Sequence, residues 1–323
     1  MGPVSSGAAD GGITGRFVAL RQYQRNGKRS PHKPLLVLMA LGRLAQTGSS
    51  SLPWSAAEPV LARLIAEFGP PSRTGRAQSA AYPFTRLRAD GVWVLDQDVP
   101  MDLVGPLAQR QVTGRFAPSV EDALRADPAL ASSVARTLVL SNFPETVAPE
   151  MLEAAGLDPD AVLGGQDAVP RGRGRPGRHR TPGWRFAVLQ AWDRQCAFCG
   201  YDGQLAGATA GLDAAHVRWF SFGGPDDLDN GLALCTLHHK LFDLGALGLD
   251  THMRVQVSSA FTARTAAGRA LYDLDWRQLA PRPGTRLPAA GHVTWHRRQV
   301  FKGLPLPLRP GPSSTASMPG GAT

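Results

Sequence analysis

All three cysteines of this 323-residue chain fall within one stretch, Cys196–Asp243, which reads CAFCGYDGQLAGATAGLDAAHVRWFSFGGPDDLDNGLALCTLHHKLFD. Cys196 and Cys199 form a C-x-x-C pair, and Cys235 and His238 form a C-x-x-H pair with the same spacing. Two residues separated by two others can grip one ion from a tight turn or a helix start. Two such pairs make a closed tetrahedral site of the kind zinc fills structurally. A chain with this feature must bring its two pairs together, so the residues between them form a loop folded on the metal. With every cysteine in a metal-type spacing, a disulfide framework is excluded and a reducing, cytoplasmic compartment is expected.

Between the pairs stand His216 and Asn230, and His239 directly follows the second pair. Taken singly, each histidine reads as an ordinary surface or core residue. Together with the cysteine pairs and Gly223-Gly224, the pattern AAH-V-x-W…GG…DN-G-L-x-L-C-x-x-HH-x-x-FD resembles the HNH nuclease signature. The resemblance implies a ββα-metal fold, with a hairpin carrying His216 packed on a helix carrying His239. A histidine that titrates near neutrality suits a general base, and a divalent ion supplies leaving-group help and charge neutralisation in phosphodiester hydrolysis. His216 is therefore the expected base. Asn230 would fix the intervening loop or hold the base through its carbonyl oxygen. His239, about 100° round a helix from His238, would face a catalytic ion instead of the zinc.

One position departs from the pattern: where many HNH proteins place a metal-ligating acidic residue or histidine before the base, this chain has Ala215. Asp213, two residues back on a strand, and Asp243, four residues after His239 on a helix, are the candidate carboxylates. An alternative role for Asp243 is a helix-end hydrogen bond. A ligand set of one imidazole and oxygens admits Mg2+ or Mn2+, with Co2+ and Ni2+ as further options.

The formal net charge of +9 points to a polyanionic partner, nucleic acid first. A hydrophobic content of 43% is that of a globular protein, and no apolar run reaches membrane-spanning length. Periodicity in the first half predicts helices over Ile13–Gln24, Pro31–Gln46 and Ala56–Phe68, and weaker ones near 101–112, 118–138 and 145–156. FTRLRADGVWVLD reads as a hairpin turning at Asp90-Gly91. The segment 164–183, GGQDAVPRGRGRPGRHRTPG, cannot bury apolar surface and reads as a flexible cationic Arg/Gly/Pro linker that can also touch phosphates. The expected division is 1–12 disordered, 13–163 a mainly helical DNA-recognition domain with a small hairpin, 164–183 linker, 184–302 the zinc-stabilised HNH domain, and 303–323 a disordered tail. The fold class is α+β.

The segments S-PHKPLLVLMALGRL, EFGPPS, YPFTRLRADGVW and ARTLVLSNFPE resemble the sulfur-binding domain that is fused to HNH in the McrA-like phosphorothioate-dependent restriction endonucleases. The resemblance implies recognition of double-stranded DNA in which a non-bridging phosphate oxygen is replaced by sulfur. Carried over by position, Tyr82 and Pro83 form an apolar wall, His32 and Lys33 sit beside the phosphorothioate with Lys33 supplying charge, and Arg86 and Arg88 reach phosphates or bases. The family often has Arg at the position of Lys33 and a small residue near that of Arg86. The expected activity is modification-dependent DNA cleavage. The competing expectations are an HNH endonuclease that reads a methylated or hydroxymethylated base, and a non-catalytic zinc-stabilised DNA-binding protein. One active site cuts one strand, so double-strand cleavage needs two events, which a homodimer would supply.

Overall fold

The computed structural model describes residues 7–21, 30–72, 78–164, 181, 183–279 and 281–307. Its first body is mainly helical. In chain order it contains α1 (Gly7–Val18), α2 (His32–Thr47), β1 (Leu52–Pro53), α3 (Trp54–Phe68), α4 (Ala81–Arg86), β2 (Trp93–Leu95), α5 (Val104–Gln109), β3 (Thr113–Phe116), α6 (Pro118–Ala126), α7 (Pro128–Asn142), α8 (Ala148–Ala154) and α9 (Pro159–Leu163). Helix α2 is apolar on nearly every side, from Leu35 to Leu41, so it can only lie at the centre of a core. Pro34 falls in its first turn, where a missing N–H costs nothing, and Gly48 ends it in the left-handed conformation at φ 73°. The three short strands form an antiparallel sheet in the order β1-β3-β2.

Three expectations for this body are corrected. Residues 84–90 are not a hairpin arm. Phe84 and Leu87, three residues apart, are both buried on one helical face, and the chain continues from α4 into a 3-10 turn at Leu87–Asp90. Gly91, at φ 70°, ends that turn, and β2 pairs with the distant β3. The single helix expected over 118–138 is two, because Pro128 cannot continue α6 and instead starts α7, capped by Asp127. The first helix starts at Gly7, inside the stretch expected to be disordered.

The second body begins at α10 (Trp184–Ala191), after a cationic segment most of which (165–180 and 182) lies outside the described residues. It continues through β4 (Gln204–Leu205), β5 (Ala208–Thr209), β6 (Leu212–His216), β7 (Gly231–Cys235), α11 (Thr236–Asp243), β8 (Leu247–Leu249), β9 (Val255–Val257), α12 (Ala266–Arg269) and α13 (Ala290–Gln299). Strands β6 and β7 pair antiparallel from Leu212↔Cys235 to His216↔Gly231, and α11 follows at once. That is the hairpin-and-helix arrangement expected around His216 and His239. The tail expected to be free from 303 is pinned further on, by a bridge between Ser258 and Pro305 and a hydrogen bond from Leu306 N to Val257 O.

The buried apolar residues form one cluster running from Phe17 to Val162, another from Trp184 to Val293 and a small third one of Trp219, Trp295 and Val300. The bodies meet at α11. Leu244 packs on the first cluster, and Lys240 Nζ donates to Thr146 O at 2.5 Å and pairs with Glu150. A second junction lies at Lys302, whose Nζ donates to the carbonyls of Ala66 (2.8 Å) and Glu67 at the end of α3. No helix among the described residues is long and apolar enough to cross a membrane.

Candidate nuclease site and DNA-recognition patch

Cys196, Cys199, Cys235 and His238 converge, with all their ligand atoms within 4.8 Å of one another. The first pair sits on a knuckle closed by Gly200 N to Cys196 O, with Gly200 at φ 80°. Ala197 N ties that knuckle to Ala233 O of β7, the strand that delivers Cys235. His238 Nδ1 lies 3.4 Å from Cys196 Sγ and 3.3 Å from Cys235 Sγ. A tetrahedral zinc with ordinary bond lengths needs a sulfur–nitrogen edge of about 3.6 Å, so the cluster can hold zinc with little movement. The Cys196 thiol is drawn down to about 3 by hydrogen bonding from Cys235, whereas Cys235 and Cys199 are pushed up. A bound ion would take these ligands as thiolates and release their protons.

His216 and His239 line one cavity of about 700 Å3 that also receives Trp184, Trp219, Asp213 and Asp243. The His216 ring stacks on Trp184, with centroids 3.9 Å apart and planes 16° apart, and its Nε2 lies 2.8 Å from Asp226 Oδ1. Burial alone would raise the Asp226 pKa. The backbone N–H of Thr181 and the His216 ring outweigh it and hold this carboxyl below its ordinary value. Asp226 was not foreseen, although its place in GGPDD, between the base and the asparagine, puts a carboxylate on the loop that folds over the base.

Asn230 is fully buried and takes the first of its two expected roles. Its Oδ1 accepts from Arg218 N at 2.8 Å, and its Nδ2 donates to Arg218 O at 3.0 Å and Pro225 O at 2.9 Å. It clamps the loop, while Asp226 holds His216. The loop passes so close that a Cβ on Gly224 would lie 1.7 Å from Arg218 O, which is why glycine stands there.

On α11, His239 Nε2 faces Asp243 Oδ2 at 3.3 Å, and its buried Nδ1 has no hydrogen-bond partner. An orphaned ring nitrogen beside a cavity fits a metal ligand. The two candidate carboxylates do not join it in a ligand cluster: among the described residues, Cys196, Cys199, Cys235 and His238 form the one such group. Asp213 lines the cavity, but its Oδ1 faces Arg185 at 3.4 Å. Asp243 is buried and accepts from Trp219 Nε1 at 2.9 Å and from the Thr146 hydroxyl, side chains distant in sequence and not the turn that follows the helix. Burial pushes its carboxyl pKa up despite those partners.

In the first body, His32, Tyr82 and Arg86 form a continuous patch. His32 meets the Tyr82 ring edge-on at 6.1 Å, and the Arg86 guanidinium lies 4.5 Å above that ring. Asp102 grips Arg86 at 2.6 to 3.1 Å and raises its pKa. The remaining expected residues turn inward. Lys33 is buried and paired with Asp90, so its charge is neutralised internally. Pro83 is buried in the first turn of α4. Arg88 donates to Thr85 O at 3.0 Å and Val99 O at 2.9 Å and faces Asp98 at 3.2 Å.

Comparison with known proteins agrees with these two bodies. Residues 196–250 match the HNH endonuclease family, so the fold and site define a DNA-cleaving hydrolase. Residues 11–160 match the ScoMcrA-like DNA sulfur-binding domain. The chain thus carries a DNA sulfur-binding domain followed by an HNH endonuclease domain. Among solved structures, it is similar to the sulfur binding domain of ScoMcrA complexed with phosphorothioated DNA. That overlap has 21% identity and a TM-score of 0.38, covering 50% of this chain and 99% of that one. It is also similar to the type IV phosphorothioation-dependent restriction endonuclease ScoMcrA (21%, TM-score 0.36, 66% of this chain and 36% of that one). A third likeness is to the modification-dependent TagI restriction endonuclease (24%, TM-score 0.30, 38% and 39%). These overlaps are partial, and the assignment stands on the two family matches. No curated protein matches the chain.

Proposed function

We propose that the chain is a modification-dependent restriction endonuclease that finds phosphorothioated double-stranded DNA through residues 13–163 and cuts a nearby phosphodiester with residues 184–302, the cationic segment 164–183 joining them. The observation that carries the nuclease half is that His216, paired with Asp226, lines the same cavity as His239, whose buried Nδ1 has no hydrogen-bond partner. His216 is the general base. Asp226 holds its ring and balances the positive charge that the ring gains on accepting a proton from water. Asn230 sets the loop on which both depend. His239 holds a divalent ion, Mg2+ or Mn2+, which when bound supplies charge neutralisation and help for the leaving oxygen. Cys196, Cys199, Cys235 and His238 hold a structural zinc.

For the mark, sulfur is larger, more polarisable and a poorer hydrogen-bond acceptor than oxygen. A surface made of rings discriminates for it, because a phosphate oxygen placed there would lose its acceptor bonds. The His32–Tyr82–Arg86 patch has that character, with the Arg86 cation at its rim for the remaining phosphate charge. The structures of this domain family that hold phosphorothioated DNA support the same class of ligand. A homodimer that cuts both strands belongs to the same proposal.

The test is a gel-shift titration of one duplex with and without phosphorothioate, followed by cleavage with His216→Ala. Preference for the sulfur-containing duplex, and loss of cutting with binding retained, is the expected result. Equal affinity for both duplexes removes the sulfur reading, and undiminished cutting by His216→Ala removes the base.

A further inference from the structure

The cavity that holds the two histidines is not built by the HNH body alone. Leu140, Phe143, Pro144, Glu145 and Thr146, all from the end of α7 and the turn after it, form one of its walls. The most specific contact across it is chemical. The Thr146 hydroxyl donates to Asp243 Oδ2, the same oxygen that faces His239 Nε2 at 3.3 Å. The other oxygen, Oδ1, accepts from Trp219 Nε1 at 2.9 Å. Asp243 is thereby held on both sides, and only one of its holders belongs to the HNH body.

From this geometry we infer that Thr146 of the DNA-recognition domain is a positioning residue of the nuclease, acting through Asp243 to orient His239 toward the catalytic ion. The inference rests on the endonuclease reading above. A metal-binding histidine commonly gives its second nitrogen to a carboxylate, which fixes the ring and makes the ligating nitrogen more basic. Here Asp243 Oδ2 stands 3.3 Å from Nε2 as its ion-pair partner, and Nδ1 is the buried nitrogen without a hydrogen-bond partner. The carboxylate can do this only if it does not rotate. Thr146 and Trp219 between them stop that rotation. The backbone of Thr146 is fixed in turn, because its carbonyl accepts from Lys240 Nζ at 2.5 Å, one residue beyond His239 on α11. The recognition domain therefore touches the helix twice just after the metal-facing histidine, at Lys240 and at Asp243. A shift of the domains would reach His239 without passing through the zinc knuckle.

The test uses the full chain with zinc retained and reads Mn2+ binding by titration without DNA, alongside cleavage of a phosphorothioated duplex. Thr146→Val, which keeps shape and removes the hydroxyl, is expected to weaken Mn2+ binding roughly tenfold, within the range for loss of such a supporting bond. The kcat should fall by a similar factor, with duplex affinity and zinc content unchanged. Thr146→Ser should restore both. Glu150→Gln loosens the Lys240 contact at the same interface without touching Asp243, and should leave Mn2+ binding as in the wild type. Wild-type Mn2+ affinity in Thr146→Val overturns the inference, as does an equal loss in Glu150→Gln, which would make docking in general the cause. Should Thr146→Val fail to fold, Asp243→Asn decides: unchanged Mn2+ binding there overturns the inference equally. If the wild-type chain cuts no DNA, the endonuclease reading fails while the Mn2+ comparison still decides this one.

Discussion

Two aspartates each hold one histidine of the nuclease cavity, and their surroundings push them in opposite directions. Asp226 receives a backbone N–H from Thr181 and faces His216, and it is held below the ordinary carboxylate range. Asp243 is buried more deeply among Trp219, Thr146 and His239, and burial raises it. The partner of a base must stay ionised, because it has to answer a charge that appears on the ring during the reaction. The partner of a metal ligand need only stay in place, since the ion itself supplies the charge. On the proposed roles of His216 and His239, the two carboxylates differ as their tasks would differ.

That contrast can be broken in order of expected effect. His216→Ala should cost about 100- to 10,000-fold in cleavage rate, the usual span for a general base, with duplex binding unchanged in a gel shift. Near-wild-type cutting would leave Asp226 with no catalytic histidine to serve. Next in size is metal removal. A chelator strong enough to strip zinc from the three thiolates should melt the HNH body, read as loss of its unfolding transition. Mild chelation that takes only the weaker ion should abolish cutting and leave that transition in place. Simultaneous loss of both would mean that His238 and His239 do not serve separate ions.

Asp226→Asn keeps the shape of the His216 partner and removes its charge, so cutting should fall by about 10- to 100-fold, the range for lost supporting groups. Its effect on stability has a definite sign. A carboxyl held below its ordinary value of 3.8 stabilises the fold above that pH, and the contribution is lost as pH falls through the folded value. The melting temperature of Asp226→Asn should therefore be lower than wild type at pH 7, and the gap should close in acid. Asp243→Asn should behave in the opposite sense, because a raised carboxyl costs stability when it ionises. Its melting temperature should equal or exceed that of wild type at pH 7 while its Mn2+ affinity drops. The smallest effect is expected far from the cavity: Tyr82→Ala should reduce the preference for a phosphorothioated duplex more than it reduces affinity for the oxygen duplex.

The Cys196/Cys199/Cys235/His238 cluster and the His-Asn-His set could be read from the chain because local spacing carries them. Two residues in a C-x-x-C or C-x-x-H step share one turn wherever they occur, and His239 must point away from His238 on any helix. What stayed hidden was set by partners distant in sequence. Nothing near Lys33 announces that Asp90, 57 positions on, will neutralise it. Thr146 lies 97 positions before the carboxylate it holds. The misread hairpin has a different cause: Asp90-Gly91 is a strong turn signal, but the Phe84/Leu87 spacing before it is helical, and burial of both rewarded the helix. Asp226 was the nearest miss, ten positions after His216 on a loop whose path depends on Asn230 and on the room left at Gly224.

The bond from Lys302 to the end of α3 has a practical consequence for anyone shortening this chain. A stop codon after Phe301 would take away the ammonium that satisfies the exposed carbonyls of Ala66 and Glu67, and with it a rivet between the two halves some 235 positions apart. Trimming inward from Leu306 should first cost the pairing of Pro305 and Leu306 with Ser258 and Val257 and then, at Lys302, the rivet itself, even though no catalytic group has been removed.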